Sequence, residues 1–399
     1  MSFIFTFIGV MAALDAVWWW MSARLTKSKA LRFAIALFMG AQLLGLAWVI
    51  SSRLLHFSLV HWWTKFALSA VFIWHFLGLP LVLLLGVGLL PIALVKLIMR
   101  WSSRKQPSAV PSPERSEKWS RREFVGFAAA LAPPLYTFSL TGVALAQLDQ
   151  FRLRRFVLPI RQLPPELDGM TITQVSDMHV GRFTSGRVLR KMVSEVNELR
   201  SDLVLVTGDL INNALSDLNE GLDLVRAMQA RFGLFMIEGN HDLIEDGPEF
   251  ERRVKASGVP FLLDESIVIP VRGVPVQLLG LRWTRPTAQP RDQAIALAVA
   301  NLARDRRPDA FPILLAHHPH AFDQAAEIHL PLTLAGHTHG GQLMLNERCG
   351  FGPAMFRYWS GLYTRGESKL IVSNGVGNWF PLRANAPAEI IHLTLRREA

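Results

Sequence analysis

Apolar residues crowd the first hundred positions and thereafter alternate with polar ones. Ser2–Trp20, Leu31–Ile50 and Phe66–Met99 are runs of 19, 20 and 34 residues, charged only at Asp15, at Arg32 on the edge of the second, and at Lys96. About 20 apolar residues span a ~30 Å hydrocarbon core, because lipid leaves each backbone polar group to be satisfied inside its own helix. The pattern predicts three transmembrane spans within residues 1–100. The third run exceeds one upright helix, and a single crossing kinked near Pro80 is preferred to a re-entrant pair. Trp18–Trp20, Trp62, Trp63 and Trp101 stand at run ends, where an amphipathic ring favours the interface.

Residues 101–122 are polar, basic and rich in Pro and Ser, the composition of a disordered cytoplasmic linker. A fourth hydrophobic segment follows at 123–146. It is preceded by Ser120-Arg121-Arg122-Glu123-Phe124 and ends Ala144-Leu145-Ala146, which resembles a twin-arginine export signal and would make the export machinery a partner. The plainer reading makes Arg121 and Arg122 the flank of a fourth helix. Either way the chain leaves the cytoplasm there. Basic residues are densest between the first two runs and after the third, which places both stretches inside.

Residues 147–168 read as a connector whose Arg152, Arg154 and Arg155 would meet anionic headgroups. Over 169–399 short β-rich runs alternate with amphipathic helices. Met170–Ser176, Leu203–Thr207, Leu234–Glu238, Phe311–Ala316, Leu332–Ala335 and Leu370–Ser373 predict strands. Val188–Leu199 and Leu218–Phe232 predict helices, and Val259–Leu281 a hairpin turning at Gly273-Val274-Pro275. This is an α/β pattern.

Composition and charge sharpen the division. Half the residues are apolar, 19% are charged, and Cys349 is the single cysteine, which excludes a disordered chain and a disulfide scaffold. Residues 1–146 hold 14 Lys/Arg against 4 Asp/Glu, whereas 147–399 hold 28 of each. The excess positive charge therefore belongs to the apolar part and reports topology. Nucleic-acid binding would need it clustered on a folded face.

Five predicted strand ends carry metal-type residues: Asp177-x-His179, Gly208-Asp209, Gly239-Asn240-His241-Asp242, His317-His318 and Gly336-His337-Thr338-His339. Loops at the carboxyl ends of strands can converge on one ligand. Together these residues resemble the calcineurin-like metallophosphoesterase family, with its D-x-H, G-D-x-x-D, G-N-H-D/E, H and G-H-x-H pattern, over about 169–395. Within it they look most like a membrane-associated or exported bacterial branch. The resemblance implies a four-layer α/β/β/α sandwich and two divalent ions, Mn, Fe or Zn, with a hydroxide held between them that attacks phosphorus. One ion would be held by Asp177, His179 and His339, the other by Asn240, His317 and His337, and Asp209 would bridge. His241 would serve the leaving oxygen, with Asp242 fixing its tautomer. Arg383 would grip phosphate and His318 touch substrate. Asn212 stands where the family has an acid, which implies a retuned hydrogen bond beyond the ligands.

These readings describe a multi-pass protein of a bacterial inner membrane, its catalytic domain in the periplasm. It would cleave a phosphodiester or pyrophosphate, lipid-linked because the helices exceed what anchoring needs. The competing reading is a non-catalytic membrane receptor or scaffold that keeps the fold.

Overall fold

The structure, a computed structural model, describes residues 2–54, 62–80, isolated positions from 82 to 99, and 120–398 except 185, 285–289 and 347. The later part of the third apolar run and the 101–119 stretch of the linker lie outside the described residues. The chain divides into two compact units, residues 1–143 and 144–399.

The first unit is helical: α1 (Ser2–Leu25), α2 (Lys29–Leu54), α3 (Trp62–Ile73) and most of α4 (Arg121–Leu148). Among the described residues, Lys29–Val49 and Glu123–Leu148 are long and apolar enough to cross a membrane. The helix of α3 widens at Trp74–Gly78 into a single π turn, closed by the Leu79 N–H donating to the Trp74 carbonyl, just ahead of Pro80. Trp18, Phe38 and Trp74 pack edge to face, with centroids 4.8–6.3 Å apart. Beside them Asp15 is buried yet engaged: Trp74 Nε1 donates to its Oδ1 at 2.7 Å, and His75 Nε2 lies 3.0 Å from its Oδ2. A carboxylate taken from water needs such partners.

The second unit begins with β1 (Phe151–Ile160), β2 (Thr171–Val175), α5 (Gly186–Glu198), β3 (Leu203–Thr207), α6 (Leu218–Ala227), β4 (Leu234–Ile237) and α7 (Gly247–Ala256). It continues with β5 (Glu265–Val271), β6 (Val274–Gly280), α8 (Arg291–Leu302), β7 (Phe311–Leu315), α9 (Ala321–Glu327) and β8 (Leu332–Ala335). It closes with β9 (Met344–Asn346), β10 (Cys349–Gly350), α10 (Phe351–Met355), β11 (Gly361–Arg365), β12 (Ser368–Val372) and β13 (Ala388–Arg397). One sheet runs β1-β13-β2-β3-β4 and another β11-β12-β8-β7-β6-β5. β2, β3 and β4 are mutually parallel, as are β6, β7, β8 and β12, so their carboxyl ends present the loops.

One core cluster mixes residues of both sheets, among them Ile172, Leu205, Leu278, Ile313 and Leu334. A second joins Val204 and Val206 to Leu189, Leu222 and Phe250 of α5–α7, and a third joins Leu279 and Leu314 to Ile295 and Val299 of α8. The central strands thus bury both faces, which is why β3 reads as an unbroken apolar run.

Three expectations change. The stretch read as a connector contributes β1, paired in parallel with β13. Its arginines are not free for headgroups: Arg152 Nη2 and Arg154 Nη1 lie 3.0 and 3.4 Å from Glu389, which is fully buried. Helix α6 stops at Ala227 instead of Phe232, because the Arg231 and Phe232 N–H groups donate to the Ser201 and Asp202 carbonyls. The hairpin turns at Arg272-Gly273, both with positive φ (52° and 84°), the geometry of a two-residue turn.

Candidate metal centre

Each loop is bent sharply as it leaves its strand. Asp177, His179, Asp209, His337 and His339 have φ of 53°, 44°, 54°, 75° and 51°, a left-handed conformation that non-glycine residues hold only when their surroundings over-determine it. Loop-to-loop hydrogen bonds supply that restraint: the Asp177 N–H donates to the Gly208 carbonyl at 3.0 Å, and the His179 N–H to the Asp209 carbonyl at 3.1 Å. At Gly336 a side chain would collide with Ser176 Oγ and Asp177 Oδ2. Only hydrogen lets this backbone pass the carboxylate, to which the His337 N–H donates at 3.1 Å.

The side chains converge. His339 Nε2 lies 3.2 Å from Asp177 Oδ1 and 3.0 Å from His179 Nε2. Asp209 Oδ2 is 3.5 Å from His179 Nε2 and 3.1 Å from His317 Nε2. His337 Nδ1 is 2.8 Å from Asn240 Oδ1. Three sets, Asp177–His179–His339, His179–Asp209–His241 and Asp209–His317–His337, each bring one ligand atom per residue within 4.8 Å of the others. Asp209 belongs to two of them.

Burial and crowding set the protonation. Burial opposes it, but His339 and His317 hold the Asp177 carboxyl well below the usual carboxylate range; His317 and His241 do the same for Asp209. Burial pushes His179 and His339 down, and takes His337 to about 3. His317 goes the other way despite burial, to about 9, because the Asp209 carboxylate faces it. Its Nδ1 lies 2.7 Å from the Thr207 carbonyl, which orients the ring.

The donor set fits a pair of divalent ions. It offers carboxylate and amide oxygens with imidazole nitrogens and no thiolate, a combination suited to Mn, Fe or Zn. His317 Nε2 is buried without a hydrogen-bond partner, since its approach to Asp209 lacks hydrogen-bond geometry, and His179 Nδ1 is likewise unpartnered. The two facing Nε2 atoms of His179 and His339 also suit a shared cation.

The other expected site residues fare differently. His241 stands at the centre: its N–H donates to Asp209 Oδ1 at 2.7 Å, and its ring lies 4.6 Å from that of His179 and 5.6 Å from that of Trp379. Asp242 does not touch its ring. His241 Nδ1 is 2.6 Å from the Asn212 carbonyl, so the backbone at Asn212 sets the tautomer. Asp242 instead accepts from the Ile211 and Gly239 N–H groups at 3.0 and 2.9 Å, bracing the loops; burial and the Asp209 charge raise it well above the usual carboxylate range.

Arg383 does not face substrate. It is wholly buried, with Nε donating to Asn378 Oδ1 at 2.7 Å, Nη1 to the Ala386 carbonyl at 2.9 Å, and Nη2 to the Asn374 and Gly377 carbonyls at 3.0 and 2.8 Å. Burial lowers it to about 10. A guanidinium satisfied by one side-chain and several backbone oxygens holds the closing loop together. His318 is buried 5.0 Å, ring to ring, from His337, its Nδ1 accepting from the His320 N–H; burial and then His337 push it down. Trp283, which no sequence spacing singled out, packs 5.1–5.6 Å from His317, His318 and His337. It follows β6, whose end lies beside that of β7, and only the strand order brings it in.

Such a cluster of carboxylate, amide and imidazole ligands is what a metal-dependent phosphoesterase domain requires. Residues 170–341 match the family described as calcineurin-like phosphoesterase. The chain is 31% identical over 254 residues to a transmembrane protein with metallophosphoesterase domain from Danio rerio, covering 60% of this chain and 56% of that protein. It is 29% identical over 293 residues to the uncharacterized metallophosphoesterase YkuE of Bacillus subtilis, covering 70% and 99%. It is 27% identical over 231 residues to the phosphodiesterase YaeI of Escherichia coli, covering 55% and 80%. The chain thus spans little more than half the length of the first of these.

Proposed function

We propose that the chain is a membrane-anchored phosphohydrolase that cleaves a phosphodiester or pyrophosphate. One observation carries the reading: Asp209 lies in two three-residue sets of candidate ligands, and His179 links one of these to the Asp177–His179–His339 set, so the three form one centre. Asp177, His179 and His339 would hold one ion, Asn240, His317 and His337 the other, and Asp209 both. When bound, the ions supply Lewis-acid charge against the phosphate oxygens and an acidified water. The protein's own groups do the rest. His241, held at Nδ1 by the Asn212 carbonyl, keeps Nε2 for the proton that passes to the leaving oxygen. Trp283, Trp379 and Phe380 wall the centre with apolar surface, which keeps the ligand charges in a low-dielectric setting.

The printed name of the Escherichia coli relative, a phosphodiesterase, favours a diester; that of the Danio rerio relative, a transmembrane protein, agrees with membrane-crossing roles for α2 and α4. The three core clusters, two of them joining a sheet to helices, support four layers. Basic residues before α4 favour a catalytic unit on the extracytoplasmic side of a bacterial inner membrane, by way of a twin-arginine-like segment. Purified full-length protein with Mn²⁺ should hydrolyse bis(p-nitrophenyl) phosphate, and Asp209→Asn should lower turnover by at least 10³-fold. Equal rates in the two proteins would refute the mechanism. A reporter fused after residue 399 tests sidedness.

A further inference from the structure

The last turn of α4 lies in the second unit and is tied to the loops that carry the metal centre. Asn378 Nδ2 donates to the Leu148 carbonyl, and the Asn385 N–H to Gln147 Oε1, each at 2.9 Å. Both asparagines also reach inward. Asn378 Oδ1 accepts from Arg383 Nε, and the Nη2 of that arginine lies 3.1 Å from His339 Nδ1. Asn385 Nδ2 donates to the Met344 and Leu345 carbonyls at 2.9 and 3.3 Å. Next to Asn378, Trp379 stacks on Phe380 at 5.1 Å. Asn378 and Arg383 in series therefore link the helix end to His339, Asn378 adjoins the Trp379–Phe380 pair, and Asn385 links it to the β9–β10 hairpin.

Segment 126–146 of α4 carries no charge. That uncharged stretch ends immediately before Gln147, the first residue of the tether. The rim of the site beside the tether is exposed and mixed, apolar at Leu345 and Met355 and cationic at Arg348 and Arg357. Leu345 on the hairpin is 71% exposed and Met355 on α10 is 66% exposed, while neighbouring Phe356 lies 6.1 Å, ring to ring, from His337. Such side chains gain by leaving water, and an indole prefers the interface.

We propose that this rim rests in the interfacial layer of the membrane holding α4, and that the phosphate cleaved here is carried by a lipid of that membrane. The inference rests on the membrane-anchored phosphohydrolase reading. Headgroups occupy roughly the outer 5–7 Å of each leaflet, the layer that begins where the uncharged stretch of α4 ends.

Cys349, exposed on β10, lets the unaltered full-length chain carry one nitrobenzoxadiazole label. In phosphatidylethanolamine–phosphatidylglycerol nanodiscs its emission should shift to the blue of the free dye–cysteine adduct. Lipids bearing a nitroxide in the headgroup region should quench at least half of it. A water-like spectrum without quenching would overturn the docking. Leu345→Asp, a change at an exposed position, should reduce the quenching at least twofold; undiminished quenching would count against this rim as the contact. In the same nanodiscs with Mn²⁺, kcat/KM for a long-chain lipid phosphodiester should exceed by at least tenfold that for its short-chain soluble counterpart. Equal values would overturn the substrate class. Failure of the underlying reading looks different: no turnover of bis(p-nitrophenyl) phosphate removes the hydrolase, and solubility without detergent removes the anchor.

Discussion

Arg383 separates two kinds of loss. Replacing it with Leu keeps much of its volume but deletes the donors for Asn378 Oδ1 and the Ala386, Asn374 and Gly377 carbonyls. Each buried acceptor left without a partner costs ~1 kcal/mol or more, so the four together cost about 3–5 kcal/mol, the upper range for one substitution. For a unit of this size that is a fall in Tm on the order of 10 °C. The change should also lower bound metal, because Arg383 lies against His339. The assay is a fluorescence melt of the full-length protein in detergent, paired with metal analysis and the KM for bis(p-nitrophenyl) phosphate. Arg383→Lys, which restores charge but not the fork, should fall between. An unchanged melting temperature with a KM raised tenfold would refute the reasoning and return the guanidinium to the substrate.

Asp242→Asn leaves one acceptor for two N–H groups and turns an amide toward Ile211 or Gly239; it should cost about 1–3 kcal/mol in a melt while leaving the pH profile of turnover in place. Gly336→Ala should abolish metal binding, read by elemental analysis, since its methyl group would displace Ser176 and Asp177. In the metal-free protein, His337 is held down to about 3 from 6.5, so its stabilising effect is present above pH 6.5 and is lost as pH falls toward 3. His317, raised to about 9, contributes below 6.5 and loses that contribution as pH climbs to 9. Because His179 and His339 are also lowered, the melting temperature should fall on acidification from 6.5, and a rise would contradict the burial of these rings.

What the sequence disclosed follows from how far each signal reaches. The ligand loops were legible because each follows an apolar β-rich run, and the local order strand–Gly–Asp or strand–His survives folding intact. β1 was not: its three arginines imitate a membrane flank until Glu389, more than 230 residues on, arrives to neutralise two of them. Arg383 was misjudged because proximity in the chain to the closing loop says nothing of which way a guanidinium turns. Trp283 and the Asn212 carbonyl carry no pattern at all. They join the centre through strand order and through a backbone atom that every residue shares.

β13 lies between β1 and β2, parallel to one and antiparallel to the other. A ribosome that has completed residue 380 has already made all seven candidate ligands but not the strand that seams the first sheet. Until residues 388–397 emerge, β2 has a bare edge, and Asn374 lacks the Glu389 acceptor that fixes its N–H. The sheet that carries Asp177 is therefore seamed, and the Asn374 loop fixed, only once β13 is in place.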